Sequence, residues 1–226
     1  RFGIAAMIHA SFLLALSSLC LGWLLSLGYC GMLQGIAPRS LARVLMGVLR
    51  FMTAIPTVVY GFAATFALVP IIRNALGGTG FCWLAAASML ALQGVPTMTL
   101  VMVGAMRALS AETALTASAL GMTPLQHLAH VTIPASRRHL VAAAVLGFGR
   151  TLGDTLLPTM LAGNAVQFAR SPLDSLRSLT AHIGLVLSSD IGGGEHLSLL
   201  LAGGLLLIGS VCVSLLARNL IRRASR

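Results

Sequence analysis

IAAMIHASFLLALSSLCLGWLLSLGYCGML, residues 4–33, runs for thirty positions without an Asp, Glu, Lys or Arg. A helix needs about 20 mostly apolar residues to cross a hydrocarbon core about 30 Å thick. This block exceeds that, with length left over to tilt or to extend past the bilayer. Four more apolar blocks follow, at residues 51–72, 81–106, 140–166 and 197–217. Together they predict an all-α polytopic membrane protein, a single transmembrane domain over residues 1–226 with five core helices.

Composition agrees. The 226 residues are 57% hydrophobic and only 9% charged, with a mean hydropathy of +0.93, whereas a soluble domain carries about 25% charged residues to cover its surface. All fifteen basic residues are Arg, against five acids, for a net charge of +10. Nucleic-acid binding needs a basic face interleaved with stacking aromatics. Here the Args fall between apolar blocks and aromatics are 5%, which argues against that partner. Cys20, Cys30, Cys82 and Cys212 lie within apolar runs without metal spacing, so they read as small membrane-buried side chains. The chain opens on Arg1, so a further N-terminal helix is left open.

The Arg distribution sets orientation, because cytoplasmic loops are Arg- and Lys-rich. With five spans, Arg39, Arg43, Arg50, Arg107, Arg137, Arg138, Arg218, Arg222, Arg223 and Arg226 share one side. Arg1, Arg73, Arg170 and Arg177 fall on the other, and Arg150 lies inside a span. The expectation is an extracytoplasmic N-terminal end and a cytoplasmic linker at residues 107–139.

That linker carries helix punctuation. Ser110 can N-cap a short helix with Glu112 in its first turn, and Gly121 suits the left-handed position after its end. Thr123-Pro-Leu-Gln126 then supplies an N-cap, a Pro at the first helical position and a capping-box Gln. Leu125, Leu128 and Ala129 would form one apolar face before Ile133-Pro134 stops the second helix. The pattern alone fits a socket for another protein and an interfacial helix pair equally well.

The spacing from Gly121 to Pro134 resembles the cytoplasmic signature of permease subunits of bacterial ABC importers: EAA, three residues, Gly, nine residues, Ile, any residue, Leu-Pro. Here Thr116-Ala117 precede Gly121, nine residues separate Gly121 from Val131, and Ile133-Pro134 close the pattern. Leu115 stands where that family has Glu, with Glu112 one turn earlier. Two further stretches are similar to the phosphate-specific (Pst) permeases. One is Ala54-Ile-Pro-Thr-Val-Val-Tyr-Gly61; the other is Gly149-Arg-Thr-Leu-Gly-Asp-Thr155, continuing to Thr159-Met160 and Gly163-Asn164. The later residues favour the C subunit of that group. The resemblance implies a MetI-like bundle in the bacterial cytoplasmic (inner) membrane. It further implies a second permease subunit, an ATPase dimer that alone carries ATP and Mg, and a periplasmic phosphate-binding protein. Glu112, Leu115, Thr116, Ala117, Gly121 and Pro134 would then form the coupling helix region that docks in the ATPase.

One position stands out chemically. Arg150, ten residues into the fourth block, falls about 15 Å along the helix, near mid-membrane, where a lone Arg costs at least about 2.5–3.5 kcal/mol. Asp154 follows by one turn, within pairing reach, and Gly149 and Gly153 form a GxxxG step suited to close helix approach. An anion relay over Arg150 and a structural ion pair are the two readings. Arg150, Asp154, Thr151 and Tyr60 are the candidate substrate-path residues, and Gln93 is a further candidate lining. Pro56, Pro96 and Pro158 interrupt the spans as kinks or gating points. His127 and His130 lack a third ligand and read as solvated; no metal or cofactor site is expected. Gly192-Gly193-Gly194 lacks the Lys-Ser/Thr of a P-loop, and no Walker motif occurs. The expectation is a phosphate permease and not an enzyme. A permease for molybdate, tungstate or sulfate is the alternative, and an intramembrane enzyme using Asp154 is remote.

Overall fold

The computed structural model describes residues 3–188, 201–206, 208–209, 211–212 and 215. Among them the chain is helical and forms no strand, only an isolated parallel bridge between Gly163 and Leu176. The first block forms helix α1 (Gly3–Gly31), apolar on every face, and ends in a π-helical turn, Met32–Ile36. Helix α2 (Arg39–Ala54) is different in kind: Arg39, Arg43 and Arg50 share one stripe, and Leu49 is buried on the other side. That amphipathicity suits a helix lying at the membrane surface.

The second span starts later than residue 51. Ile55 is extended (ψ 124°), as the residue before a proline tends to be, and Pro56 opens α3 (Thr57–Phe66). Pro56 therefore separates a surface helix from a span and does not kink the span. After a distortion at Ala67, α4 (Leu68–Leu76) completes a 20-residue apolar unit.

Helix α5 (Trp83–Ala119) has 37 residues, a length of about 55 Å. It continues through Ser110, which is no N-cap, because residues 107–119 contain neither Gly nor Pro to break it. The cytoplasmic elbow is thus the end of a long rigid rod. Pro96 is buried inside this rod.

The elbow itself follows local chemistry. Gly121 adopts φ 72°, Met122 N–H donates to Ala117 O (3.0 Å) and Gly121 N–H to Ser118 O (3.0 Å), the paired bonds of a Schellman stop. Thr123 and Gln126 form the expected capping box ahead of α6 (Pro124–His127). Pro134 does not end the helical path. A π turn (Leu128–Thr132) leads into α7 (Ile133–Ala135), and the chain turns at Ser136 instead. The wider π turn also rotates the expected apolar face: Leu128 is buried, but Leu125 and Ala129 are exposed.

The fourth block is not one helix. Helix α8 (Arg137–Gly153) stops at Asp154, which is extended (ψ 127°), and α9 (Leu156–Leu161) restarts after it. Pro158 supplies the reason. A proline four residues on leaves the Asp154 carbonyl without a helical donor, and Thr180 Oγ1 donates to it instead at 2.8 Å. Residues 167–196, a linker by sequence, contain α10 (Leu179–Ser188), whose 10 residues fall short of the about 20 that a span requires. Most of the fifth block, with Gly192–Gly194, lies outside the described residues; its described stretch 201–206 is helical. Among the described residues three helices are long and apolar enough to cross a membrane: Ile4–Gln34, Thr57–Leu76 and Trp83–Ala119.

Helices α1 and α5 run parallel in constant register. Ser26 Oγ donates to Val95 O (3.4 Å) and Cys30 Sγ to Thr99 O (3.8 Å), each 69 residues apart. Parallel spans require an intervening return, which α3 and α4 provide. Helix α8 packs antiparallel on α1, with Trp23 Nε1 donating to Leu140 O (3.3 Å) and Ser18 Oγ to Thr151 Oγ1 (3.2 Å). Met98 locks the three together: a Cβ at Gly22 would fall 2.7 Å from its Cε, and one at Gly147 2.5 Å from its Sδ. The close approach is made at Gly22 and Gly147. Nothing lies within 4 Å of a Cβ on Gly149 or Gly153, so the GxxxG step seats no helix among the described residues. Cys30 and Cys82 are buried, while Cys20 and Cys212 are on exposed surfaces.

Candidate translocation site and coupling elbow

Ser18, near the midpoint of α1, bonds Thr151, so Arg150 stands near mid-depth of the bundle. It is in the last turn of α8, where the helix dipole favours a cation. Its side chain is exposed to a cavity of about 740 Å³ between α1, α8, α10 and Leu205, Leu206 and Gly209. The walls are mainly apolar, among them Ile8, Phe12, Val145, Leu146 and Ile183.

Asp154 does not pair with this guanidinium among the described residues. The helix break takes it off the Arg150 face, and its Oδ1 accepts from Leu157 N (3.1 Å), an open donor of the first turn of α9. Thr151 turns toward α1 and bonds Ser18 and Gly147 O (3.1 Å). Tyr60 is buried and its hydroxyl donates to Met52 O (3.0 Å), closing the Pro56 turn, yet it lies within electrostatic range of Arg150. Gln93 Nε2 donates to Thr57 Oγ1 (3.1 Å), tying α5 to α3. Of the four substrate-path candidates, only Arg150 lines the large cavity. The sequence reading missed Ser11, Thr155 and Thr180, which line it too. Thr155 is adjacent to Asp154, but Ser11 and Thr180 come from distant segments with no motif to mark them.

The loop between α9 and α10 covers the opposite end of the bundle from the elbow. Trp83 N–H donates to Asp174 O (2.9 Å) and Leu84 N–H to Pro172 O (2.8 Å), satisfying open donors at the start of α5. The N–H groups of Arg170 and Ser171, both 2.8 Å from Asp174 Oδ2, hold that carboxyl below its usual range, with the Arg170 charge adding to the effect.

At the elbow, Glu112, Leu115 and Thr116 project outward from one side of α5, and Leu115 is 86% exposed. Leu120 is 74% exposed and Leu125 also stands free, while Pro134 is exposed. Ala117 points the other way. It is buried and lines a cavity of about 220 Å³ beneath the elbow, so it offers no side chain to an outside partner. His127 is buried too, bonded to Thr113 Oγ1 at 2.7 Å, which corrects its reading as a solvated residue; His130 is exposed. Among the described residues no three metal-ligating side chains cluster.

Residues 28–226 match the family model described as "Binding-protein-dependent transport system inner membrane component". The chain belongs to that family. The chain is 32% identical over 225 residues to the probable ABC transporter permease protein YqgH of Bacillus subtilis (strain 168), covering 99% of the chain and 73% of that protein. It is 26% identical over 249 residues to the phosphate transport system permease protein PstC of Xylella fastidiosa (strain 9a5c), covering 100% of the chain and 76% of that protein. In fold it is similar to an inward facing form of the MetNI methionine ABC transporter, with TM-score 0.79 and 16% identity over 99% of this chain and 96% of the other. An amino acid ABC transporter with histidines gives TM-score 0.70 at 14% identity, over 97% and 93%. The MetI-like bundle and the ABC importer permease role expected from the elbow signature both hold.

Proposed function

We propose that this chain is the permease subunit of an ATP-driven importer of inorganic phosphate in a bacterial cytoplasmic membrane. It works beside a second permease subunit, an ATPase dimer that binds ATP and Mg, and a periplasmic phosphate-binding protein. The observation that carries the reading is one guanidinium at mid-depth on the wall of a mainly apolar cavity. A planar fork of N–H donors suits a tetrahedral oxyanion, and apolar walls keep the binding weak enough for release. The several relatives named phosphate permeases, at 23–26% identity, direct the choice toward phosphate.

The chain acts as a passive gate. The exposed Leu115, Leu120 and Leu125 dock in the ATPase, with Glu112 and Thr116 beside them. Closure of that partner moves the elbow, and unbroken α5 carries the displacement to Met98, where α1 and α8 meet it. Phosphate then passes over Arg150. A second reading, transport of sulfate, molybdate or tungstate, draws on the same guanidinium, which fits any of these anions.

The test is uptake by the complete importer in proteoliposomes, with radiolabelled phosphate, sulfate, molybdate and tungstate offered separately and each with a binding protein for that anion. ATP-dependent phosphate uptake alone supports the proposal. Uptake of another oxyanion without phosphate replaces it with the second reading, and uptake of none rejects both.

A further inference from the structure

Three hydroxyls line the Arg150 cavity, from Ser11, Thr155 and Thr180, and two are already committed. Ser11 Oγ donates to Met7 O (2.9 Å) and accepts from Leu179 N (2.9 Å). Thr180 Oγ1 donates to Asp154 O (2.8 Å) and meets Ser178 Oγ (3.0 Å). Neither has a hydrogen left for a passing anion. Thr155 is different: among the described residues its hydroxyl has no hydrogen-bond partner, although its side chain is half-buried on the cavity wall.

The packing around Thr155 sets its orientation. Its Cγ2 methyl lies against α10 at Gly184, where an added Cβ would come within 2.8 Å. A β-branched side chain is stiff at χ1, so anchoring the methyl holds the hydroxyl off that contact. The backbone at Thr155 is held as well: Asp154 caps Leu157, Thr180 binds the Asp154 carbonyl, and Thr159 Oγ1 donates to Thr155 O at 2.6 Å. A free donor this firmly held, lining the same mainly apolar cavity as the Arg150 guanidinium, is an arrangement for a shared acceptor.

We infer that Thr155 donates a second hydrogen bond to the oxyanion held by Arg150, and that the Gly153–Asp154 break serves to present it. Had α8 continued, a threonine hydroxyl would bond back to a carbonyl one turn earlier, as Thr151 does to Gly147 O. The inference rests on the oxyanion reading given above. It assigns a residue to substrate contact, and it makes Asp154 a positioning residue.

The experiment compares Thr155→Val, Thr155→Ser and wild type in the complete importer in proteoliposomes, under saturating binding protein. Phosphate, sulfate and molybdate uptake are measured beside basal ATPase activity and subunit assembly. Valine keeps the shape and removes the donor; serine keeps the donor and removes the methyl. The expected result is a fall of about tenfold in flux for Thr155→Val, as for a lost hydrogen bond to a charged group. Thr155→Ser should retain at least half of wild-type flux, with assembly and basal ATPase unchanged in both. Wild-type flux in Thr155→Val overturns the inference, as does Thr155→Ser falling as low as valine, which would make the methyl packing decisive. Loss of assembly in Thr155→Val also overturns it. If wild type carries sulfate or molybdate and not phosphate, the phosphate reading fails, and the Thr155 inference is judged on that anion by the same criteria. If wild type carries none of the three, both fall.

Discussion

Arg150 and Asp154 stand one turn apart in sequence and act separately in the fold. The carboxylate caps α9 at Leu157 N, and the cation is placed at a helix C-terminus facing a cavity. Removing either charge therefore strands no buried partner, unlike the case of a true buried pair. Arg150→Gln is expected to assemble normally yet abolish uptake. Arg150→Lys should impair uptake, because an ammonium lacks the planar fork. Blue-native assembly beside flux measurement checks both; failed assembly in Arg150→Gln would point to a structural role. Asp154→Asn retains a capping oxygen and should cost little, whereas Asp154→Ala should lower stability by about 1 kcal/mol, read as a fall in melting temperature in detergent. Asp174 gives a pH prediction. Its folded pKa is depressed by the Arg170 and Ser171 N–H groups, so its stabilising contribution is present above the unfolded value of about 3.9 and disappears as pH falls through the folded one. Thermal stability should drop in acid below about pH 4, and Asp174→Asn should remove that part of the drop.

At the scale of elements, the elbow and α5 form one device. Gly121 at φ 72° is a conformation that β-branched residues strongly resist. Gly121→Val should leave the chain inserted while ATPase-coupled transport falls severalfold, which paired measurements of uptake and ATP hydrolysis would reveal. Contact with the partner is expected at Leu115 and Leu120, the exposed apolar side chains, and not at the buried Ala117. Cysteine crosslinking across the assembled importer checks this: Leu115→Cys should crosslink to the ATPase and Ala117→Cys should not. The reverse pattern would mean that the elbow docks by its other face.

At the scale of the molecule, parallel α1 and α5 put the elbow and the 77–82 turn at opposite ends of the bundle. Reporter fusions after Gly121 and after Gly78 should therefore report opposite sides of the membrane, with the elbow cytoplasmic as the Arg distribution requires. Finding both on one side would reject the arrangement. The bundle is held where Met98 fills the space left by Gly22 and Gly147. Gly147→Leu should force the helices apart and destabilise the chain by about 1–3 kcal/mol, the usual cost of overpacking, measured as reduced melting temperature.

What the sequence by itself determined are the features whose causes are local or additive. Charge-poor apolar blocks demand a membrane, and Gly121 followed by Thr123-Pro-Leu-Gln126 specifies the elbow turn within a few residues. The elbow signature and the two Pst-like stretches were enough to indicate the family. Only the tertiary structure decided the features whose hydrogen-bond partners are distant in the chain. Pro158 marks the break in the fourth block locally, but only the fold shows that Thr180, 26 residues on, satisfies the Asp154 carbonyl it leaves open. Ser11 reaches the same cavity by bonding Leu179 N, 168 residues away. Ala117 and His127 turn inward because the Schellman stop and the Thr113 bond fold the elbow back on α5. Periodicity describes one helix at a time, whereas the direction of a side chain at such breaks depends on which neighbour supplies the missing donor or acceptor. Thr155 is the clearest case: it becomes a candidate only when the surrounding hydroxyls are found already bonded.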